Sequence, residues 1–452
     1  MPEGAPRVQL TGWGRTAPTP AVLTPVRGED DVRSVLSGRT TRGVVARGLG
    51  RSYGDAAQNA GGAVLDMTTA DRVLDVDLAA GAVEVEAGIS LDALMSRFVP
   101  MGLFVPVTAG TRYVTVGGAI AADIHGKNHH VAGSFSRHVE WLDLLVADGS
   151  VRRVSPQEDP ELFRATAGGM GLTGVILRAR VRMKPIETAQ VLVDTDRAPD
   201  LDSLLALMTS GDHRYDYSVA WIDCIARGRR MGRSVLTRGR FARRDELPAD
   251  RRADPLRYAA SVRLSAPDLF PPGLLNRATV AAFNEAWYRT SPARRRDQLQ
   301  GIPSFFHPLD GVGEWNRIYG PRGFVQYQFT VPFGQEEAMR TALERISRSG
   351  HASFLAVLKR FGDGNPGLLS YPSPGWTLAL DIPVVAGLAT LLDELDELVV
   401  AAGGRIYLAK DSRVRPETFA KMYDRLEDFR AVRKRVDPDG VFTSDLARRL
   451  AL

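Results

Sequence analysis

The stretch VVARGLGRSYGDAAQN, residues 44–59, decides how the chain is read: a short apolar strand runs straight into a loop carrying Gly48, Gly50 and Gly54. Glycine permits positive φ and lets bare backbone N–H groups approach an anion that a side chain would fend off, so the loop is expected to cradle phosphate. The dinucleotide fingerprint G-x-G-x-x-G is the obvious rival, but its third glycine position is Tyr53 and no long amphipathic helix follows before Val64. A Rossmann reading therefore fails. A lone glycine turn is most often only a turn. A second stretch, VPVTAGTRYVTVGGAIAADIHGKN at residues 105–128, adds Gly110, Gly117, Gly118 and Gly126, and the two loops need a joint explanation.

RGLGRSYGD at 47–55, TVGGAIAADIHGKN at 115–128, GGMGLTGVI at 168–176 and KRVDPDGVF at 434–442 resemble the FAD-linked oxidoreductases of the vanillyl-alcohol-oxidase type. IHGKNHH at 124–130, QYQF at 326–329 and YLAKDSR at 407–413 extend the resemblance over essentially the full length. It implies an α+β fold of two domains, with an FAD domain over residues 1–188, a substrate domain with an antiparallel sheet flanked by helices over 189–404, and residues 405–452 completing the FAD domain. By the same resemblance, Arg47, Gly48, Leu49, Gly50, Arg51, Ser52, Tyr53 and Gly54 wrap the FAD pyrophosphate. Gly110, Thr111, Thr115, Val116, Gly117 and Gly118, with Ala122, Asp123, Ile124 and His125, cover the flavin, and Ile176 and Tyr407 complete the cofactor contacts. Many relatives attach the flavin covalently through a histidine in or beside the first loop, where this chain offers Arg51 and Tyr53. The FAD is therefore expected to be non-covalent.

At 452 residues the chain suggests two domains, and its 44% hydrophobic and 25% charged residues are those of an ordinary water-exposed protein. One cysteine, Cys224, excludes an internal disulfide framework and a cysteine metal cluster. No signal-peptide pattern opens the sequence and no apolar run reaches the length of about 20 residues that a membrane span requires, so a soluble or peripheral membrane-surface protein is expected. The net charge of +5 is unevenly spread, with twelve arginines against four acids over residues 227–263. Such a run is more often a solvated face than a binding surface, and it carries no nucleic-acid module. Because apolar residues follow (Leu269, Phe270, Leu274, Leu275, Phe283, Trp287, Tyr288), interrupted by Pro271, Pro272 and Gly273, the region is expected to form a mobile, lipid-facing entrance within 267–322.

Strands are predicted at 41–47, 63–68, 72–77 and 82–88, then a helix capped by Ser90 with Leu91, Leu94, Met95 and Phe98 on one face. Asp148-Gly149 signals a hairpin between 141–147 and 151–154. Beyond residue 189, strands are predicted at 190–195, 218–223, 323–331 and 376–382, and helices at 201–208, 336–347 and 388–401.

His125, His129 and His130 suggest zinc by spacing, but Gly126 and Asn128 break the helix that reading needs and no acid or thiol accompanies them, so no metal is expected. His125 is a candidate for flavin positioning or catalysis, against a purely hydrogen-bonded structural role. Lys410 is either a surface lysine paired with Asp411 or a fixed cation that stabilises charge arriving on the flavin. The resemblance places it at the substrate, and Tyr53 completes the candidate catalytic set. Gln326 and Gln328 alternate along a strand and share one face, as amides for sugar hydroxyls. Lys359 and Lys127 are further candidates for the substrate pocket. Close relatives carry Asn and Cys at the positions of Thr377 and Ala379. The resemblance implies oxidation of the C2′ hydroxyl of a polyprenyl-phosphoryl ribose, the first half of an epimerisation supplying arabinose to an actinobacterial cell wall. An NADH-dependent short-chain keto-sugar reductase would complete it as partner. A soluble alditol or aldonolactone oxidase of the same fold is the alternative, and a flavin-binding protein without catalysis is a third reading. A periplasmic membrane surface is implied by the resemblance only.

Overall fold

The structure is a computed structural model that describes residues 7–262, 264–271, 273–351 and 353–452. Three main sheets are built from it, and each follows from its apolar pattern. Thr19–Pro25, Ala63–Asp66 and Val44–Arg47 pair in parallel, with Arg7–Leu10 antiparallel at one edge. Continuous apolar runs such as VVA and AVL suit parallel strands covered on both faces. Val44, Ala63 and Leu65 pack with Val32 and Leu36 of the helix Glu29–Ser37, while Val45, Val64 and Ala21 fill the other face. The second sheet is antiparallel, in the order Val73–Asp77, Ala82–Glu86, Val175–Arg182, Val139–Leu145, Val151–Val154. Ser90 caps the helix Leu91–Phe98 by accepting from the Ala93 amide at 3.0 Å, and Leu91, Leu94, Met95 and Phe98 are all buried.

The third sheet has eight antiparallel strands, in the order Arg294–Gly301, Gln190–Ala198, Ser234–Phe241, Tyr217–Ile222, Ala356–Phe361, Gly375–Pro383, Phe324–Pro332, Arg405–Ile406. The helices Leu201–Gly211, Glu336–Ser349 and Leu388–Ala401 pack against it. Period-2 alternation then divides each strand: Ala220, Leu236, Leu358 and Leu380 are fully buried, while Trp221, Val235, Lys359 and Ala379 line a cavity.

Three of these strands, Ser234–Phe241, Arg294–Gly301 and Ala356–Phe361, are not among those predicted from sequence. Charge hides them. Arg238 sits inside Ser234–Phe241 at 3% exposure, donating to Asp196 at 2.8 Å, and Arg233 donates to Asp223 and Glu285 at 2.9 and 2.6 Å. The reading of the arginine run as one solvated or lipid-facing surface is therefore corrected for these two residues, which are internal ion-pair members. Arg263 of that run and Pro272 of the apolar stretch lie outside the described residues. Between residues 267 and 322 the chain forms the helix Arg277–Thr290, capped by Asn276, then Arg294–Gly301 and the short helix Ile302–Phe306.

The C-terminal segment returns to the first sheet. The Val44 amide donates to Val441 O at 2.8 Å and the Thr443 amide to Val44 O at 2.9 Å, so residues 441–443 occupy the free edge of Val44–Arg47. Arg449 of the helix Asp445–Leu450 binds Asp55 through two hydrogen bonds of 2.8 and 2.9 Å and pairs with Asp411 at 2.8 Å. Removing one partner of a largely buried ion pair leaves the other charge uncompensated. Arg449→Met is expected to cost about 3 kcal/mol of stability and to weaken flavin retention, read by denaturant unfolding and by flavin content after dialysis.

Candidate active site

A cavity of about 740 Å³ lies between the two glycine loops and the side of the eight-stranded sheet that carries Gln326, Gln328 and Lys359. Its first wall is the loop after Val44–Arg47. The amides of Gly48, Leu49, Gly50, Arg51 and Ser52 make no hydrogen bond to any described residue, whereas the Tyr53 amide donates to Ala409 O at 2.9 Å. Five successive free donors facing a cavity are an anion nest. Arg47 holds the loop in this shape, donating to Ala57 O at 2.9 Å and Thr11 O at 2.8 Å. Arg51 stacks its guanidinium 3.8 Å above the Trp13 ring, and its Nε is buried without a partner.

The glycines divide by cause. Of the three in this loop only Gly50 takes positive φ, at 64°. Gly48 and Gly54 are required by neighbours: a Cβ would come within 2.2 Å of Thr115 Oγ1 and 1.9 Å of Asp411 O respectively. Gly117 likewise packs on Ala87, with a Cβ contact of 3.0 Å. The expectation that all of them clear space for a ligand is thus corrected. Gly110, which has no atom within 4 Å of a built Cβ, fits that role.

Most of the residues singled out by sequence come together on this cavity. Arg47, Gly48, Leu49, Gly50, Arg51, Ser52, Tyr53, Gly110, Thr111, Thr115, Gly117, Gly118, Ala122, Ile124, His125, Ile176 and Tyr407 line it, as do Lys410, Gln326, Gln328, Lys359 and Lys127. Three do not. Gly54 packs on Asp411, Val116 is core at 0% exposure, and the buried Asp123 carboxylate accepts from Ser134 Oγ at 2.8 Å, the Ser136 amide at 3.0 Å, and from Ser370 and Asn365. Asp123 has φ of 39°, and this network holds the turn leading to His125.

At the centre, Lys410 Nζ lies 3.8 Å above the Tyr53 ring. Gln326 donates its amide to Asp381, and Gln328 Nε2 lies 2.8 Å from His125 Nε2 and 3.2 Å from Thr377 Oγ1. His125 Nε2 then accepts, so the ring proton sits on Nδ1, which is buried without a partner. Burial, reinforced by the positive charges of Lys359 and Lys410, holds the His125 pKa well below its ordinary value, and the ring is neutral. Tyr371 and Tyr407 flank it at 5.5 and 5.0 Å between centroids. Lys127 donates to Phe305 O and its ammonium lies 4.4 Å from the Phe305 ring centre. Lys359 has no hydrogen-bond or ion-pair partner among the described residues.

Beside the lysines the cavity has apolar lining, with Val219, Trp221, Val235, Phe354 and the helix residues Phe283 and Trp287. Phe283 and Trp287 are 45% and 46% exposed. The sequence reading anticipated the last two but not the sheet residues beneath them, nor Asp381. An acid inside the otherwise apolar LALDIP was the available signal.

The residues present fit FAD: a nest of free amides for a pyrophosphate, an open glycine at 110, and buried cations beside the orphaned His125 Nδ1, where an isoalloxazine and substrate would supply partners. Residues 20–155 match the FAD binding domain family, and residues 384–450 match the family described as D-arabinono-1,4-lactone oxidase. The chain is 50% identical to decaprenylphosphoryl-β-D-ribose oxidase of Mycolicibacterium smegmatis over 98% of its own length and 97% of the relative's. It is 24% identical to L-gulono-1,4-lactone dehydrogenase of Mycobacterium tuberculosis over 97% and 98%, and 31% identical to cytokinin dehydrogenase 5 of Oryza sativa over 45% and 42%. Fold and site define an FAD-dependent oxidoreductase. The protein belongs to the vanillyl-alcohol-oxidase-type FAD-linked oxidoreductases, in the family of decaprenylphosphoryl-β-D-ribose oxidase.

Burial lowers Lys359 from its ordinary 10.5 to about 8, and burial together with Lys359 lowers Lys127 to about 7. A depressed lysine binds fewer protons folded than unfolded, so each contributes stability that grows as pH rises toward the unfolded value. Lys359→Met is expected to unfold at a higher temperature than the wild type near neutral pH, with the difference closing by about pH 10. A pH series of thermal melts reads it.

Proposed function

We propose that the protein oxidises the C2′ hydroxyl of decaprenylphosphoryl-β-D-ribose to the 2′-keto sugar, with non-covalent FAD as hydride acceptor. The supporting observation is the mixed lining of one cavity: Lys127, Lys359 and Lys410 face it without a carboxylate in ion-pair range, and Val219, Trp221, Val235, Phe283 and Trp287 give it apolar wall. A phosphodiester supplies the negative charge that the buried lysines lack, and an isoprenoid chain covers apolar surface that water would otherwise meet. FAD, when bound, supplies the two-electron acceptor that no side chain can replace.

The chain's own residues do the rest. Gln326 and Gln328 have their amide nitrogens engaged inside the protein, which leaves their carbonyl oxygens as acceptors for sugar hydroxyls. His125 offers the Nδ1 proton to an oxygen of substrate or cofactor. The Lys410 ammonium stabilises negative charge where it develops, and the walls of Tyr371, Tyr407 and Phe361 limit water. Tyr53, whose phenol burial keeps protonated, seats Lys410.

The reading extends to organisation and partners. Residues 1–188 and 405–452 would form the FAD domain and 189–404 the substrate domain. A ketone left on the lipid carrier calls for a separate NADH-dependent short-chain reductase. A peripheral position on a membrane surface is supported by Leu264 and Leu269, exposed at 73% and 85%, in the segment that precedes the helix carrying Phe283 and Trp287. Among the described residues no helix is long and apolar enough to cross a membrane. The match of residues 384–450 to D-arabinono-1,4-lactone oxidase favours a second reading, a soluble alditol or aldonolactone oxidase.

Steady-state turnover separates the two. Decaprenylphosphoryl ribose is expected to be oxidised at far lower KM than ribose 1-phosphate or free pentoses, and Trp287→Ser to narrow that gap. Equal KM for lipid-linked and free sugars would favour the second reading. Lys410→Ala is expected to keep its FAD but to slow flavin reduction by substrate about 100-fold, the usual worth of a preorganised charge, read as single-turnover loss of the flavin's visible absorbance.

A further inference from the structure

Asp381 has no part in the sequence reading, yet it is fully buried and hydrogen-bonded to Gln326, which lines the cavity. It lies in Gly375–Pro383, directly across from Gln326 in the antiparallel register, and is 0% exposed. One carboxylate oxygen accepts from Gln326 Nε2 and the other from Tyr319 Oη at 3.5 Å. No arginine or lysine reaches it within ion-pair range among the described residues. A carboxylate sealed into a sheet with two neutral donors is costly unless a charge acts on it through space.

The groups around it are few. Lys410 approaches from the segment after Arg405–Ile406, Tyr53 from the glycine loop, Tyr319 from the turn Trp315–Tyr319, and Gln326 from the neighbouring strand. Lys410 in turn faces Asp381, the Tyr53 ring, His125, and Lys359 from Ala356–Phe361. Asp411, next in the chain, is taken up by Arg449 at 2.8 Å.

We infer that Asp381 is a positioning residue for the proposed oxidation: it fixes the Gln326 amide with its oxygen toward the cavity, and its negative charge favours the charged form of Lys410. Burial raises Asp381 to about 7, and in its ionised form the carboxylate can only accept and so turns the NH₂ of Gln326 inward. The charge effect follows from sign: burial and the like charge of Lys359 both push Lys410 toward the neutral amine, and Asp381 opposes them. The balance leaves Lys410 at about 7, so removing the Asp381 charge shifts it further toward the neutral amine. The inference rests on the substrate reading only for what Gln326 binds; the charge effect concerns this chain alone.

The test is competitive amine labelling of the flavin-loaded protein across a pH series, with Lys410 modification quantified by peptide mass spectrometry. In Asp381→Asn the labelling midpoint of Lys410 is expected about one unit below the wild type, the low end of what a nearby opposite charge supplies. Asp381→Glu, which keeps the charge, should restore the midpoint. Asp381→Gln gives the same comparison if the asparagine variant loses its flavin. In parallel, Asp381→Asn should raise KM for decaprenylphosphoryl ribose by about tenfold, the worth of one hydrogen bond, and move the alkaline limb of its rate profile to lower pH. A midpoint that stays in place in the neutral variants overturns the assignment. Wild-type protein that is not reduced by the lipid-linked sugar overturns the substrate reading instead, and the labelling result still decides for or against Asp381.

Discussion

Five free backbone amides at residues 48–52 are the constraint to which much of the fold answers. A loop that leaves its donors unpaired gains nothing from its own hydrogen bonds and must be held open by others. Arg47 ties it from within, Trp13 donates its amide to Ser52 O at 2.8 Å, and Tyr53 is fastened to Ala409 O. The far end of the chain closes the arrangement, with Asp445 donating its amide to Gln58 O at 2.8 Å and Arg449 bridging Asp55 to Asp411. The same contacts that shape the phosphate cradle deliver Lys410 to its place above Tyr53. On the proposed roles, cofactor binding and catalysis are joined through one piece of backbone.

The second physical theme is cation burial. Lys127, Lys359 and Lys410 are drawn into one cavity where desolvation works against all three, and His125 is held neutral beside them. Such an arrangement costs stability in the absence of an anion and offsets that cost when one binds. It is the signature of a site shaped for a negatively charged substrate rather than for a neutral sugar. Asp381 is the local counterweight, opposing the desolvation of Lys410.

How much of this was legible in the sequence depends on what each residue had to do. The strands 44–47 and 82–86 and the Ser90-capped helix announce themselves because their apolar residues face one core and nothing competes. Glu336–Ser349 and Leu388–Ala401 do so through helical spacing. Ser234–Phe241 was hidden because Arg238 and Arg240 find internal partners in Asp196 and Glu246, which no periodicity reveals. The glycine loops were read as ligand contacts throughout, yet Gly48, Gly54 and Gly117 are glycines for the sake of Thr115, Asp411 and Ala87, distant in sequence and adjacent only once folded. Lys410, Gln326 and Lys359 were reachable through motif resemblance. Asp381 was not, since its meaning depends on the register that sets it opposite Gln326.

The most direct measurement is anaerobic absorbance of the purified yellow protein mixed with decaprenylphosphoryl ribose. The account predicts stoichiometric bleaching of the flavin by the lipid-linked sugar, little by free ribose, and release of intact FAD into the supernatant when the protein is then denatured. A flavin that stays oxidised with the lipid-linked sugar, while an alditol or aldonolactone bleaches it, would contradict the account.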